Sequence, residues 1–244
     1  MVAIERGRDS QLKGKALVVA PKNSDRAKVW SASTEAMQSG IYKGMELGIA
    51  TRLERNLKVI HPNPDLYDSV EKKVLFKLSR YTPLYEREGP GKIYLDFSGF
   101  EKLYGDSLDF ARLIKRELEA DFKLPFRLGV SSNKLLAKAA TDPFVIEENI
   151  YRVSRDASGS FLDPFHYNII PNIKDFSQRK SSLSYDPIED LNLERVANIK
   201  LLSKELLECI FLKDGESIYE MARGIDNRLV TPQKKSLSIF YDVH

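Results

Sequence analysis

The sequence predicts an α+β protein: a mixed α/β body followed by a small all-helical module. Three observations carry this expectation. Through about residue 152, short apolar runs alternate with amphipathic stretches at helical spacing. Beyond that point short helices follow without convincing strands, until "TPQKKSLSIFYDVH" from about residue 230 stops in what reads as a fresh strand. Between the two lies the polar stretch "SRDASGSF" (154–161), which has the composition of a boundary.

Each element follows from local chemistry. "KALVVAP" (15–21) and "KVWSAS" (28–33) read as strands joined through the turn "KNSD". "TEAMQSG" is a short helix stopped by Gly40. "NPDLYDSVEKKVLFKLSRYT" is a stronger helix, with Leu66, Val70, Val74 and Leu78 four apart on one face and Lys72, Lys73 and Lys77 elsewhere. A Gly-Pro-Gly turn then feeds a strand over 92–100, built on "IYLDF". "SLDFARLIKRELEADF" places Phe110, Leu113, Ile114 and Leu118 at helical spacing. "FRLGVSSNKLLAKAATDP" reads strand, turn, helix, ending at Pro143. In the second part, "RVANIKLLSKELLECIF" and "GESIYEMARGID" both carry apolar faces.

Composition excludes several classes. The 244 residues are 42% hydrophobic and 30% charged, as in ordinary globular proteins. No apolar run approaches the ~20 residues of a membrane span, and the first residues lack a signal-peptide core. The single cysteine, Cys209, can make neither an internal disulfide nor a zinc site, which fits a cytoplasmic protein. His61, His166 and His244 have no ligand spacing. A formal net charge of +3 does not by itself define a nucleic-acid binder.

Three motifs in order suggest a family. "ASTEAMQSGIYKGM" resembles the fingers segment of the Y-family (DinB-like, translesion) DNA polymerases. "IYLDFSG" with "LGVSSNKLLAKAATDP" is similar to that family's palm strand and following helix, and "YEMARGIDNRLV" to the end of its thumb. The resemblance covers roughly residues 1–235. It implies fingers at 1–62, a palm at 63–152, a helical thumb at 153–229 and, over 230–244, a linker into a little finger that is essentially absent. Met1 falls about where the family keeps the aromatic residue that rejects ribonucleotides, and the strand with the first metal-binding aspartate would lie before it.

The resemblance also exposes departures. Active members carry adjacent Asp and Glu at the palm strand entrance, because two divalent ions need clustered carboxylates. This chain has Gly91 and Lys92 there. The triphosphate-holding tyrosine and arginine map to Thr34 and Met37, and a later lysine near Val145, so bidentate phosphate recognition is lost. Trp30 stands where the family keeps a small residue over the nascent base pair. The glycine-rich first thumb hairpin falls on "PNIKD" (171–175), where Asn172 and Lys174 weaken phosphate approach.

The expectation is a catalytically inactive homologue, close in character to the ImuB branch, that needs no cofactor. It would act as a DNA-binding or adaptor factor in repair and mutagenic translesion synthesis within the SOS response. Its partners would be DNA, an active polymerase and a sliding clamp, with no membrane. Candidate DNA contacts are Ser131, Ser132, Asn133, Lys134 and Lys138 at a helix start with free amides, and Lys234 and Lys235. Two alternatives stay open: a fragment of an active, magnesium-dependent polymerase, or a protein scaffold without DNA binding.

Individual residues have plainer readings. Trp30 fits a core position. Glu86 and Glu88 read as solvated strand-end charges, and Asp96 as structural. Lys92 either points to solvent or sits where a metal would, balancing Asp96 or Glu86.

Overall fold

The computed structural model describes residues 1–100, 105–143, 145–171, 173 and 187–232. The chain divides into two compact units. The first comprises Met1–Pro83, Arg87–Ile93 and Leu118–Pro125; the second comprises Leu84–Glu86, Tyr94–Glu117 and Phe126–His244.

The first unit is organised on β1 (Leu17–Val19), the centre of a three-stranded sheet. It pairs antiparallel with β2 (Ser31–Ala32) and parallel with β3 (Lys58–Ile60), in the register Val18↔Ala32 and Val18↔Val59. All three β1 residues are fully buried, as expected of a central strand covered on both faces. Alternation along β1 sends Val18 into one apolar cluster with Val29, Ala36, Ile41, Met45 and Ala50. Leu17 and Val19 enter another with Val2 and Tyr67. The covering helices are α1 (Val2–Arg8), α2 (Thr34–Gln38), α3 (Leu47–Leu53) and α4 (Pro64–Leu78).

Capping explains where these helices begin. Ser33 is buried and its Oγ accepts from the amides of Ala36 at 3.2 Å and Leu17 at 3.1 Å, tying α2 to β1. Asn63 caps α4 with Pro64 in its first turn. Along α4 the sequence-read face holds: Val74 and Leu78 are buried, joined by Tyr67. The Tyr67 hydroxyl donates to Glu5 Oε1 at 2.6 Å in the interior. Burial, then this bond to a carboxylate, push the phenol up to about 12.

Strands β4 (Tyr85–Gly89) and β5 (Lys92–Leu95) form a two-stranded hairpin. β4 has no counterpart in the sequence reading, and β5 is shorter than the expected 92–100, because Phe97–Phe100 closes as a turn. The amphipathic helix α5 (Ser107–Phe122) buries Phe110, Ile114 and Leu118 as its spacing requires.

In the second unit β6 (Leu128–Val130) pairs parallel with β7 (Ile150–Arg152), with α6 (Lys134–Ala139) between them in the chain. Gly129 is required here: a Cβ would stand 2.0 Å from the Ala137 carbonyl oxygen, so only glycine lets α6 pack this closely on β6. The remaining described segments are short helices: α7 (Ser158–Phe161), α8 (Pro187–Asp190), α9 (Val196–Lys200), α10 (Lys204–Phe211) and α11 (Gly215–Ala222). They share one apolar core that includes Leu135, Leu136, Phe165, Val196, Phe211 and Ile218. Among the described residues beyond 152 the only extended pairing is an isolated bridge between His166 and Arg195. The fresh strand read at the end of the chain lies outside the described residues. No helix of the described residues is long and apolar enough to cross a membrane.

Candidate functional site

Gly91 lies in the turn of the β4–β5 hairpin with φ +73°, and Lys92 begins β5 with its side chain exposed. The turn is held by a residue the sequence reading passed over. Glu71, on α4 and 10% exposed, accepts from the Gly91 amide at 2.9 Å and from the Arg87 guanidinium. Its neighbours in sequence are Lys72 and Lys73 on a solvated helix, so nothing one-dimensional marks it. One carboxylate thus binds a backbone N–H and a guanidinium where the resemblance places two metal ligands.

Whether a divalent ion fits depends on donors. Two-metal sites need several carboxylates free to coordinate. The turn offers a glycine, an ammonium on Lys92 and a carboxylate already committed to a cation. No group of three or more His, Cys, Asp or Glu among the described residues has metal-holding geometry. The donor set does not fit magnesium.

The positions that the resemblance assigns to nucleotide binding are equally poor in phosphate donors. Thr34 is exposed at the start of α2, Met37 is half-buried one turn later, and Val145 is 37% exposed in the loop after α6. None carries a cation. Trp30 is 38% exposed, which corrects the core reading. It precedes β2 and belongs to neither apolar cluster of the first unit.

At the start of α6 the structure corrects the expectation of free amides. Asn133 Oδ1 accepts from the Leu136 amide at 3.0 Å, and its Nδ2 donates to the Gly224 carbonyl at 2.8 Å. The Leu135 amide donates to Asp226 Oδ2 at 3.0 Å. Asp226 is the last residue of "GID", and its side chain is fully buried. Burial alone would raise its pKa; the Arg228 guanidinium, at 2.7 and 2.8 Å from its two oxygens, outweighs this and holds the carboxyl below its usual range. An internal anion therefore occupies the helix start.

Lys134 is likewise engaged. Its Nζ lies 2.7 Å from both Glu86 oxygens and 3.1 Å from the Leu229 carbonyl, and the side chain is 10% exposed. Glu86 also accepts from the Thr231 amide at 2.7 Å. Burial works to raise the Glu86 pKa, and Lys134 and the amide bring it below its ordinary value. Glu86 is thus no solvated strand-end charge. Asp96 accepts from the Ser98 amide at 2.8 Å, in keeping with a structural role. The Ser131 hydroxyl is buried without a hydrogen-bond partner among the described residues, Ser132 is exposed and Lys138 is half-buried. Lys234 and Lys235, with Asn172 and Lys174 of the expected first hairpin, lie outside the described residues.

Sheet order, helix placement and the β4–β5 hairpin together define the catalytic-core fold of the Y-family DNA polymerases. DinB from Sulfolobus solfataricus matches with a TM-score of 0.76 at 22% identity, over 94% of this chain and 65% of that one. A Y-family chimera of Dbh and Dpo4 matches with a TM-score of 0.75 at 22% identity, over 95% of this chain and 67% of the other. The impB/mucB/samB family model matches residues 1–142, more than half of the sequence, and the chain belongs to that family. Among curated relatives, DNA polymerase IV of Clostridioides difficile (strain 630) is 30% identical over 97% of this chain and 63% of its own length. DNA polymerase IV of Xanthomonas oryzae pv. oryzae (strain MAFF 311018) is 30% identical over 97% and 64%. The chain spans about three-fifths of the length of these relatives.

Proposed function

We propose that this chain is a non-catalytic Y-family homologue that acts as a DNA-binding or adaptor factor in DNA repair and translesion synthesis. The carrying observation is the hairpin turn, where Glu71 holds the Gly91 amide and Arg87 beside Lys92. Phosphoryl transfer in this fold needs two metal ions, and this donor set does not hold them. Fingers at 1–62, palm at 63–152 and thumb at 153–229 remain the working division. On this reading an active polymerase performs the synthesis and a sliding clamp is reached through a region outside this chain, as an ImuB-like factor of the SOS response would require in the cytoplasm.

DNA binding draws support from neighbours such as the insertion ternary complex of Dbh DNA polymerase. It draws further support from charge: residues 1–62 carry eleven Lys and Arg against six Asp and Glu. Of the α6 candidates, Asn133 and Lys134 are committed internally, so the exposed Ser132 keeps the better claim to phosphate. A scaffold without DNA binding has its own supporting observation, since residues 153–229 carry ten basic against thirteen acidic side chains. The names of the relatives favour the third reading, a fragment of a working polymerase.

Primer extension separates these readings. The purified chain is expected to add no nucleotide with magnesium or manganese, while binding duplex DNA weakly and less as salt rises. Incorporation abolished by replacing a single carboxylate would establish the enzyme; no binding even at low salt would favour the scaffold.

A further inference from the structure

Phe76 is 71% exposed, more than any other aromatic side chain among the described residues. It stands on α4, whose opposite face carries the buried Tyr67, Val74 and Leu78 into the first unit. Asp65, Ser69, Lys72, Lys73 and Phe76 recur at helical spacing along the outer face, all exposed, and the exposed Arg80 follows four residues on. The Arg80 guanidinium lies 5.8 Å from the centre of the Phe76 ring. Toward the helix N-terminus, Asp65, Asp68, Ser69, Lys72 and Lys73 line a hollow of about 460 Å³. Within it Lys72 Nζ is 2.7 Å from Asp68 Oδ2, whereas Asp65, Lys73 and Arg80 have no ion pair among the described residues. The helix dipole accounts for an aspartate in the first turn and an arginine past the last. It does not account for a phenyl ring kept in water, where burial would stabilise it.

We propose that this face of α4 docks on the same face of a second copy of the chain, antiparallel, with Phe76 of each seated in the hollow of the other. A two-fold contact needs a patch that complements itself. This patch carries both halves: an apolar knob and a hollow to receive it, an acidic end and a basic one. With Lys72 opposite Ser69 of the second copy, antiparallel counting sets Lys73 against Asp68. Phe76, with the Arg80 guanidinium beside it, then meets Asp65. A parallel pairing would set Asp65 on Asp65 and Arg80 on Arg80, and like charges repel. α4 spans 15 residues, about 22 Å. The area such a contact buries is small, so the dimer is weak and forms at micromolar concentrations or above. The inference goes beyond the functional reading above and does not rest on it.

Sedimentation velocity of the full chain over a rising concentration series tests this, with Cys209→Ser replacing the exposed thiol so that no disulfide links two copies. A monomer–dimer equilibrium is expected that weakens as salt rises, because ion pairs at the rim are screened. Phe76→Ala should raise the dimer dissociation constant roughly tenfold or more. Asp65→Arg and Arg80→Asp should each weaken association several-fold, and the two together in one chain should restore it at unchanged net charge. Circular dichroism and thermal melting check that these surface substitutions leave the fold intact, and recovery in the double variant requires a folded chain. A chain that stays monomeric at every concentration overturns the proposal. So does a dimer indifferent to Phe76→Ala, or one that the double charge exchange fails to restore.

Discussion

The Asp226 carboxylate is fully buried and takes hydrogen bonds from the Leu135 amide, the Arg228 amide and the Arg228 guanidinium. A buried carboxylate is tolerated only when its charge and lone pairs are met, and here the nearest unsatisfied amides are those at the start of α6. Asp226→Asn keeps the shape but leaves Arg228 without its counter-charge. The expected loss is about 1–3 kcal/mol, read as a lower urea midpoint at unchanged slope. pH adds a second check with a defined sign. The folded-state pKa lies below the ordinary aspartate value, so the stabilisation is present above about pH 3.9 and is lost as pH falls through the lower folded value. Wild type and Asp226→Asn should therefore converge in stability as acid denaturation is approached; a constant gap down to the lowest pH would mean the carboxylate is not the source. Lys134 gives a parallel case, since Lys134→Met leaves Glu86 with only the Thr231 amide. That loss should also be about 1–3 kcal/mol, where a phosphate-binding surface lysine would cost less than about 0.5 kcal/mol.

The hairpin of β4 and β5 shows how an element can be kept while its chemistry changes. The apolar alternation of Ile93-Tyr94-Leu95 still specifies a strand, and Gly91 at positive φ still turns the chain into it. What holds the turn is Glu71, reaching from α4 to an amide and a guanidinium. Glu71→Gln should weaken both bonds, seen as faster hydrogen exchange of the Gly91 amide; unchanged exchange would show the turn to be held by the strands alone. Installing Gly91→Asp with Lys92→Glu brings two carboxylates near Glu71 and puts a side chain on a left-handed residue. The double variant should lose about 1–3 kcal/mol and still synthesise no DNA, because Thr34 and Met37 supply no cation for a triphosphate. Detectable polymerisation by that variant would show the nucleotide pocket to be intact.

At the scale of the whole chain the charge is uneven. The +3 total conceals a basic excess over residues 1–62 and an acidic one over 153–229. Nucleic acid should accordingly be met by the first segment. Lys43→Glu is expected to weaken DNA binding several-fold at low salt, while Lys213→Glu, on the exposed surface of the acidic segment, should leave it within about twofold. Equal effects of the two reversals would place the interface elsewhere.

The sequence by itself determined the class of fold, its longer helices and the identity of the two residues at the hairpin mouth. Periodicity is local, and a glycine or a lysine at position 91 or 92 cannot become a carboxylate however the chain folds. The helix of 64–78 and the helix of 107–122 were legible for the same reason: their apolar spacing fits only one face. Only the tertiary structure decided what each charged or aromatic side chain does. Glu71 meets Gly91 across twenty residues, Lys134 meets Glu86 across forty-eight and Leu135 meets Asp226 across ninety-one. A lysine on a helix reads the same whether it faces phosphate or a half-buried glutamate, and Trp30 reads the same in a core or in water. The difference is set by neighbours distant in the chain, because desolvation and pairing depend on distance in space rather than along the sequence.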